Sequence, residues 1–189
     1  HVLVTQMLFL KGLTGLSVLM FLKKIRTAQL FAFSTSSSGA TIPVTMRTVQ
    51  ERMGVDRSVS AFSVPFGATI NMDGTAMMQG VATVFIANMY GIELGMSGYA
   101  MVIATAVLAS IGTAAVPGVG LIMLTLVFNQ VGLPVEGIGI ILGVDRLLDM
   151  VRTAVNVTGD AMVTAVVAKS ENRMDLGIYN DPEAGMIDD

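Results

Sequence analysis

The chain contains no cysteine and no tryptophan, and its single histidine is the first residue. The missing cysteines exclude disulfide bonds and thiolate metal sites. One histidine leaves no cluster for metal or nucleophilic chemistry. Charge is scarce too. Asp, Glu, Lys and Arg make up 13% of the 189 residues, against about 25% in soluble domains. The net charge of −3 gives no sign of nucleic-acid binding. No signal peptide is visible. What is abundant is apolar: 53% of residues are hydrophobic, and the mean hydropathy is +0.71. That balance points to a membrane protein. The sequence opens at His1 inside an apolar run, and reads as a C-terminal piece of a longer protein.

Charge clusters and segment lengths together suggest a topology. Lys23, Lys24 and Arg26 form one basic cluster, Arg47, Arg52 and Arg57 a second, and Lys169 and Arg173 a third. The turns around Gly91–Gly98 and Asn129–Gly137 contain Glu93 and Glu136 and no Lys or Arg. The positive-inside rule puts the basic clusters in the cytoplasm and the acidic turns outside. A spanning helix needs about 20 apolar residues. Val2 to Phe21 can cross once. Leu30 to Met46 lies between two inside clusters and must return, yet it is too short to cross twice. Its middle reads FSTSSSGATIP, where Ser, Gly and Pro break a helix. Ser58 to Tyr90 crosses once but is interrupted at Asn71-Met72-Asp73-Gly74-Thr75. Tyr99 to Phe128 lies between two outside turns and must also return, broken at IGTAAVPGVG.

The expected fold is therefore an all-α membrane protein. It comprises a helix over 1–26, a re-entrant hairpin over 27–53, a broken helix over 57–90, a second hairpin of opposite polarity over 96–131, and a final polar helix over 135–170. Hairpin plus helix occurs twice with reversed sense, as in an inverted repeat. Residues 171–189 are polar and acidic and are expected to form a disordered cytoplasmic tail.

Non-helical backbone at membrane depth is tolerated where it is covered by protein or lines a cavity, so the breaks are candidate sites. At the first tip, Ser34 to Thr41, helix N-terminal N–H groups can hold a carboxylate. A Ser-rich loop is the plain alternative. At Asn71–Thr75, carbonyls, an amide and a carboxylate are hard oxygen ligands for a small cation. The alternative is a helix turn with Asp73 as N-cap. The second tip, Ser110 to Gly120, lacks G-x-G-x-x-G and is no dinucleotide loop. It suits a hinged lid, or a packing kink.

The last apolar segment carries Asp145, Asp149, Arg152, Asn156 and Asp160, spaced by four, three, four and four residues. Those steps keep to one helix face. Charges in hydrocarbon are costly and mark ion or substrate paths. Arg152 can grip a carboxylate bidentately, Asp149 suits an ammonium, and Asn156 and Asp160 suit cations. The competing reading is an internal network such as Asp149–Arg152 and Asp145–Arg146.

The strings SSSGATIPVTM, GATINMDGTA, ASIGTAAVPGVG and LDMVRTAVNVTGD, in this order, resemble the glutamate transporter homologue family, the dicarboxylate/amino acid:cation symporters. The resemblance covers roughly Phe21 to Lys169. It implies that Arg152 binds the substrate's side-chain carboxylate and Asp149 its ammonium. Thr75, Thr153 and Asn156 would contact the substrate, and the Ser37–Ser38 tip with backbone at Val116 and Gly120 would close on its α-carboxylate. By the same resemblance one sodium would sit among Gly67, Asn71, Asn156 and Asp160. A second would use backbone at Thr69, Ser110, Ile111 and Thr113, and a third Asn71 and Asp73. There would be no cofactor beyond the coupling sodium ions, and no enzymatic step. The implied partners are an acidic amino acid, sodium, the lipid bilayer of the cell's inner (plasma) membrane, and two further copies in a homotrimer, with no nucleic acid.

Relatives that carry C4-dicarboxylates typically lack acids at the positions of Asp149 and Asp160, and neutral amino-acid carriers lack the arginine. The set here favours aspartate or glutamate by sodium-coupled alternating access. A dicarboxylate or proton-coupled symporter of the same family is the alternative. An intramembrane aspartic protease using Asp73 and Asp160 is a remote one, since Thr158-Gly159-Asp160 only faintly matches the Gly-x-Gly-Asp motif of such enzymes. A ligand-free bundle would leave the buried charges without a purpose. One departure stands out: many members carry a further Arg on the first tip or directly after the substrate Asp. Here those places hold Ser34-Thr35-Ser36 and Met150, with Arg146 one turn earlier.

Overall fold

A computed structural model describes residues 1–186. It is all-helical among the described residues, apart from one isolated bridge between Val55 and Met174. A π-helical turn, Val2–Gln6, leads into α1 (Met7–Thr14). The helix expected over 1–26 stops there, because Gly15 adopts φ +71° and caps α1 through its N–H to the Lys11 carbonyl. A new helix, α2 (Val18–Thr35), starts at Ser17, whose hydroxyl accepts from the Met20 N–H. It runs straight into the first tip, so the rising arm of the first hairpin begins at Val18 and not at residue 27.

The tip itself is two residues. Ser36, at φ 52°, closes α2, and Ser37 opens α3 (Ser38–Arg47) by accepting from the Ala40 N–H at 3.1 Å. A serine hydroxyl here satisfies one of the orphan donors of a helix start. After α4 (Arg57–Ile70) the chain unwinds at Asn71 and Met72 and resumes as α5 (Asp73–Met89). The second hairpin is α6 (Gly95–Ile111) and α7 (Val119–Gln130), and α8 (Ile138–Ser170) follows. At 33 residues α8 is about 50 Å long.

Two apolar cores lie at opposite ends of α8. One gathers Phe21, Ile25 and Ala28 of α2 with Val157, Ala161 and Ala165 of α8. The other gathers Val102 of α6, Leu124 and Phe128 of α7, and Ile86 of α5 with Ile141 of α8. The hairpins thus approach the middle of α8 from opposite ends. Their tips meet there: the Ala115 carbonyl accepts from the Gly39 N–H at 3.0 Å and from the Ser37 hydroxyl at 2.8 Å.

Alongside these apolar cores, polar groups are buried and large apolar side chains are exposed. Asp149, Arg152, Asn156, Asp160, Gln79 and Thr75 are buried. Leu8, Leu19, Phe62, Val81, Leu108 and Leu147 stand at 65% exposure or more. An extended exposed apolar surface of this kind needs a non-aqueous neighbour. Among the described residues no helix is both long and apolar enough to cross a membrane alone. The reason is structural. Two expected crossings are split, at Gly15–Ser17 and at Asn71–Met72, and α8 is interrupted by its own charged row.

Residues 171–186, expected to lack order, fold back as a strap instead, while 187–189 lie outside the described residues. Asp175 caps a short helix, α9 (Leu176–Asn180), through the Gly177 and Ile178 N–H groups. Tyr179 is fully buried in the first core and donates to the Ser17 carbonyl at 2.9 Å. Lys24, also fully buried, donates to the carbonyls of Ile178 (2.6 Å) and Arg52 and lies 5.8 Å from the Tyr179 ring centre. Burial pushes the Tyr179 phenol up. At the rim, Asp56 accepts from the hydroxyl and N–H of Ser58, which hold its carboxyl below the usual range, and Arg173 stands 3.6 Å away. The strap was hidden in the sequence because one aromatic carries it and its partners lie more than 150 positions away.

Candidate functional site

The site sits where the two hairpin tips and the break at Asn71–Met72 converge on the middle of α8. A small cavity of about 20 Å³ is lined there by Ser36, Ser38, Met72, Thr75, residues 113–116, Gly120, Asp149, Arg152, Thr153 and Asn156. Eight of the nine residues expected to bind substrate are in that lining. The ninth, Ser37, is the buried cap of α3 that ties the two tips together.

Asp149 and Arg152 form the charged floor. The Asp149 carboxylate accepts from Arg152 Nε at 2.9 Å, from Thr153 Oγ1 at 3.4 Å, and from the Gly118 N–H of the second tip at 2.8 Å. Gly118 can turn there because it lacks a side chain at φ +79°. Arg152 Nη1 is 3.9 Å from Asp145 Oδ1, and neither atom has a hydrogen-bond partner among the described residues. A buried guanidinium donor left open in this way has spare capacity for an acceptor. The network proposed from the sequence is present as Asp149–Arg152, whereas Asp145 faces Arg152 and the exposed Arg146 stays off the polar face.

Asn156 joins α8 to the broken helix. Its carbonyl oxygen accepts from the Gly74 N–H at 2.7 Å, and its amide donates to Thr75 Oγ1 at 3.2 Å and faces Met72 Sδ. The start of α5 thus receives a cap from another helix, and Asp73 is not an N-cap. Asp73 accepts instead from Gln6 at 3.1 Å and pairs with His1 at 2.7 Å. One turn further along α8, Asp160 accepts from the Asn71 amide at 2.9 Å.

Missing side chains make these approaches possible. A Cβ at Gly67 would stand 2.8 Å from Asp160 Oδ1, and one at Gly159 2.5 Å from Asn71 Nδ2. A Cβ at Gly74 would stand 2.5 Å from the Arg152 carbonyl oxygen.

The expected cation ligands fall into two groups. Gly67, Asn71, Asn156 and Asp160 come together, with Asp73 beside Gln6. The other set is the backbone at Thr69, Ser110, Ile111 and Thr113. The hydroxyls of Thr69, Ser110 and Thr113 each bond back to a carbonyl of their own helical segment, and Ile111 is exposed. Among the described residues no three His, Cys, Asp or Glu side chains cluster as a metal site.

Three participants were given no role from the sequence. Gln6 reaches Asp73, Met72 turns its sulfur toward Asn156, and buried Gln79 donates to the Gly120 carbonyl at 3.2 Å. A lone amide in an apolar run, as at Gln6 and Gln79, was the available clue.

Fold and site define an all-helical protein, apolar outside and polar within, whose cavity pairs a carboxylate with a guanidinium under two hairpin tips. A profile of the sodium:dicarboxylate symporter family matches residues 1–170, and the chain belongs to that family. It is 48% identical over 147 residues to an excitatory amino acid transporter of Caenorhabditis elegans, covering 78% of this chain and 29% of that protein. It is 46% identical over 154 residues to excitatory amino acid transporter 2 of Homo sapiens, covering 80% and 27%. To excitatory amino acid transporter 3 of Mus musculus it is 49% identical over 142 residues, covering 75% and 27%. The chain thus spans less than a third of the length of the curated relatives it matches.

Proposed function

We propose that this chain is the substrate- and ion-binding part of a secondary active symporter that carries an acidic amino acid with sodium. The observation behind this reading is the amphoteric cavity. Asp149 offers an anion to an α-ammonium, Arg152 keeps an unpartnered donor for a side-chain carboxylate, and two helix-opening tips offer N–H groups to an α-carboxylate. Gln6, Asn71, Asp73 and Asp160 supply oxygens for the coupling cations. The relatives' names, excitatory amino acid transporters, agree with this chemistry.

The chain takes its place in the bilayer with its exposed leucines and phenylalanines toward lipid. Both hairpins are re-entrant, which places their tips at the midplane. Residues 57–90 cross as paired half-helices, and α8 crosses with its charges turned inward. The membrane is the plasma membrane and the assembly a homotrimer. Sodium works by differential affinity: it favours the state in which Asn71–Thr75 and Asn156 are assembled for substrate. Movement of the second tip away from Asp149 then exposes the cavity.

A C4-dicarboxylate symporter is the second reading, favoured by the unpartnered donor on Arg152 and disfavoured by Asp149, which repels a substrate without an ammonium. The protease reading has little support, since Asp73 and Asp160 are each bonded to a different amide. Uptake of radiolabelled aspartate by the full-length protein in vesicles tests the proposal. Uptake should require an inward sodium gradient and be blocked by glutamate. Uptake indifferent to sodium would overturn the sodium assignment, and succinate competing as well as aspartate would overturn the substrate.

A further inference from the structure

We infer that the missing side chain at residue 120 sets substrate selectivity: Gly120 is a positioning residue that makes room for the Arg152 guanidinium. This rests on the reading of Arg152 as the group that meets a substrate carboxylate, and it is separate from any contact of the Gly120 backbone with substrate. A Cβ built on Gly120 would stand 2.7 Å from Arg152 Cζ and 2.9 Å from Nη2, and closer still to Nη1. Non-bonded heavy atoms prefer about 3.5–4.0 Å. The guanidinium therefore occupies the space that any other residue would need.

Gly120 has little freedom to step aside. Its carbonyl accepts from Gln79, which is fully buried on α5. Its neighbour Leu121 and then Leu124 are anchored in the second core. The partner that can yield is Arg152, because the clash falls on the far end of a long side chain. Its Nε is tied to Asp149, and its route of retreat is along α8 toward Asp145, whose Oδ1 is already 3.9 Å from Nη1. Gly74 makes the contrast. There a Cβ would strike the Arg152 carbonyl oxygen and Cα, at 2.5 and 3.0 Å, which are backbone atoms and cannot withdraw. One glycine keeps two helices close, and the other houses a charge.

A methyl at 120 should therefore leave the fold intact and draw the guanidinium back from the second tip. Asp149 and both tips persist, so the amino-acid end of a substrate is still recognised and its side-chain carboxylate is not. Gly120→Ala in the full-length protein should weaken aspartate binding roughly 10- to 100-fold, the scale of one lost charge-assisted hydrogen bond. Serine, which lacks the second carboxylate, should weaken far less than aspartate does. The decisive measurement is the aspartate-to-serine affinity ratio in a cycle with Arg152→Ala, because coupling appears only between residues that act through one another. In the Arg152→Ala background, Gly120→Ala should leave that ratio unchanged. Equal weakening of both amino acids, or an undiminished effect without Arg152, would overturn the inference. Should Gly120→Ala fold poorly, adding Arg152→Ala should restore folded yield, and failure to restore it would overturn the inference as well. A wild-type protein that binds no aspartate would instead refute the functional reading itself.

Discussion

Asp149→Asn removes a charge from the cavity while keeping its shape. The amide oxygen can still accept from Gly118, which donates to Asp149 at 2.8 Å, so the second tip stays docked. What disappears is the negative charge that faces Arg152 at 2.9 Å and would face a substrate ammonium. Asp149 and Arg152 are 4% and 5% exposed, so solvent and salt screen this charge far less than one at the surface. Asp145, 3.9 Å from Arg152, leaves the guanidinium a counter-charge and protects the fold. Truncating one partner of a buried hydrogen-bonded charge pair costs about 2–5 kcal/mol. At about 1.4 kcal/mol per tenfold, aspartate affinity should fall between roughly 30-fold and several thousand-fold. Succinate has no ammonium, so its binding should hold or tighten as a repelling carboxylate is removed. Calorimetry of the full-length protein with both ligands at fixed, saturating sodium measures the contrast. An aspartate affinity within about threefold of the wild type, where 1.4 kcal/mol is tenfold, would refute the assignment of Asp149 to the ammonium.

Other outcomes follow from the same geometry. Asp160→Asn should abolish the sodium dependence of aspartate binding, which calorimetry across a sodium titration would register; an unchanged dependence would remove Asp160 from the cation site. Gly74→Ala, which drives a methyl against backbone, should lower the melting temperature sharply. Gly80→Ala, with nothing within 4 Å, should raise stability by about 0.5–1 kcal/mol, and calorimetric melting of both variants in detergent compares them. Tyr179→Phe deletes the bond to the Ser17 carbonyl and should cost about 0.5–1.5 kcal/mol. Tyr179→Ala leaves a cavity and should cost about 3–5 kcal/mol. Hydrogen exchange across residues 173–180 should rise in that order.

Much of the architecture is local and could be read along the chain. Ser37, Pro117 and Gly118 announce helix breaks because capping and turn geometry depend on a few adjacent residues. The row Asp145, Asp149, Arg152, Asn156, Asp160 announces one buried face because the helical period is fixed by the backbone. Basic clusters at residues 23–26, 47–57 and 169–173, with the segment lengths between them, suggested two helical hairpins, and the helix pairs α2–α3 and α6–α7 are present. Boundaries were less legible. Gly15 ends α1 inside a run apolar enough to continue, and the first hairpin gains nine residues on its rising arm. The strap at 171–186 was misjudged because its composition is polar while its stability rests on Tyr179 and Lys24 reaching across the chain.

Sequence alone therefore determined which residues are polar in an apolar setting, where the two hairpins and the Asn71–Thr75 region break, and which face of α8 is buried. These depend on composition, period and cap chemistry, and each acts over a few residues. Tertiary structure alone decided which breaks meet: Ala115 receives Gly39 and Ser37, Asn156 caps α5, Gln6 reaches Asp73, and Gly120 makes way for Arg152. Those partners lie from about 30 to more than 80 positions apart, and a helical period names the face that is turned inward without naming what packs against it. A glycine in particular has no side chain to betray its role, and only the guanidinium lying in its place shows what the absence is for.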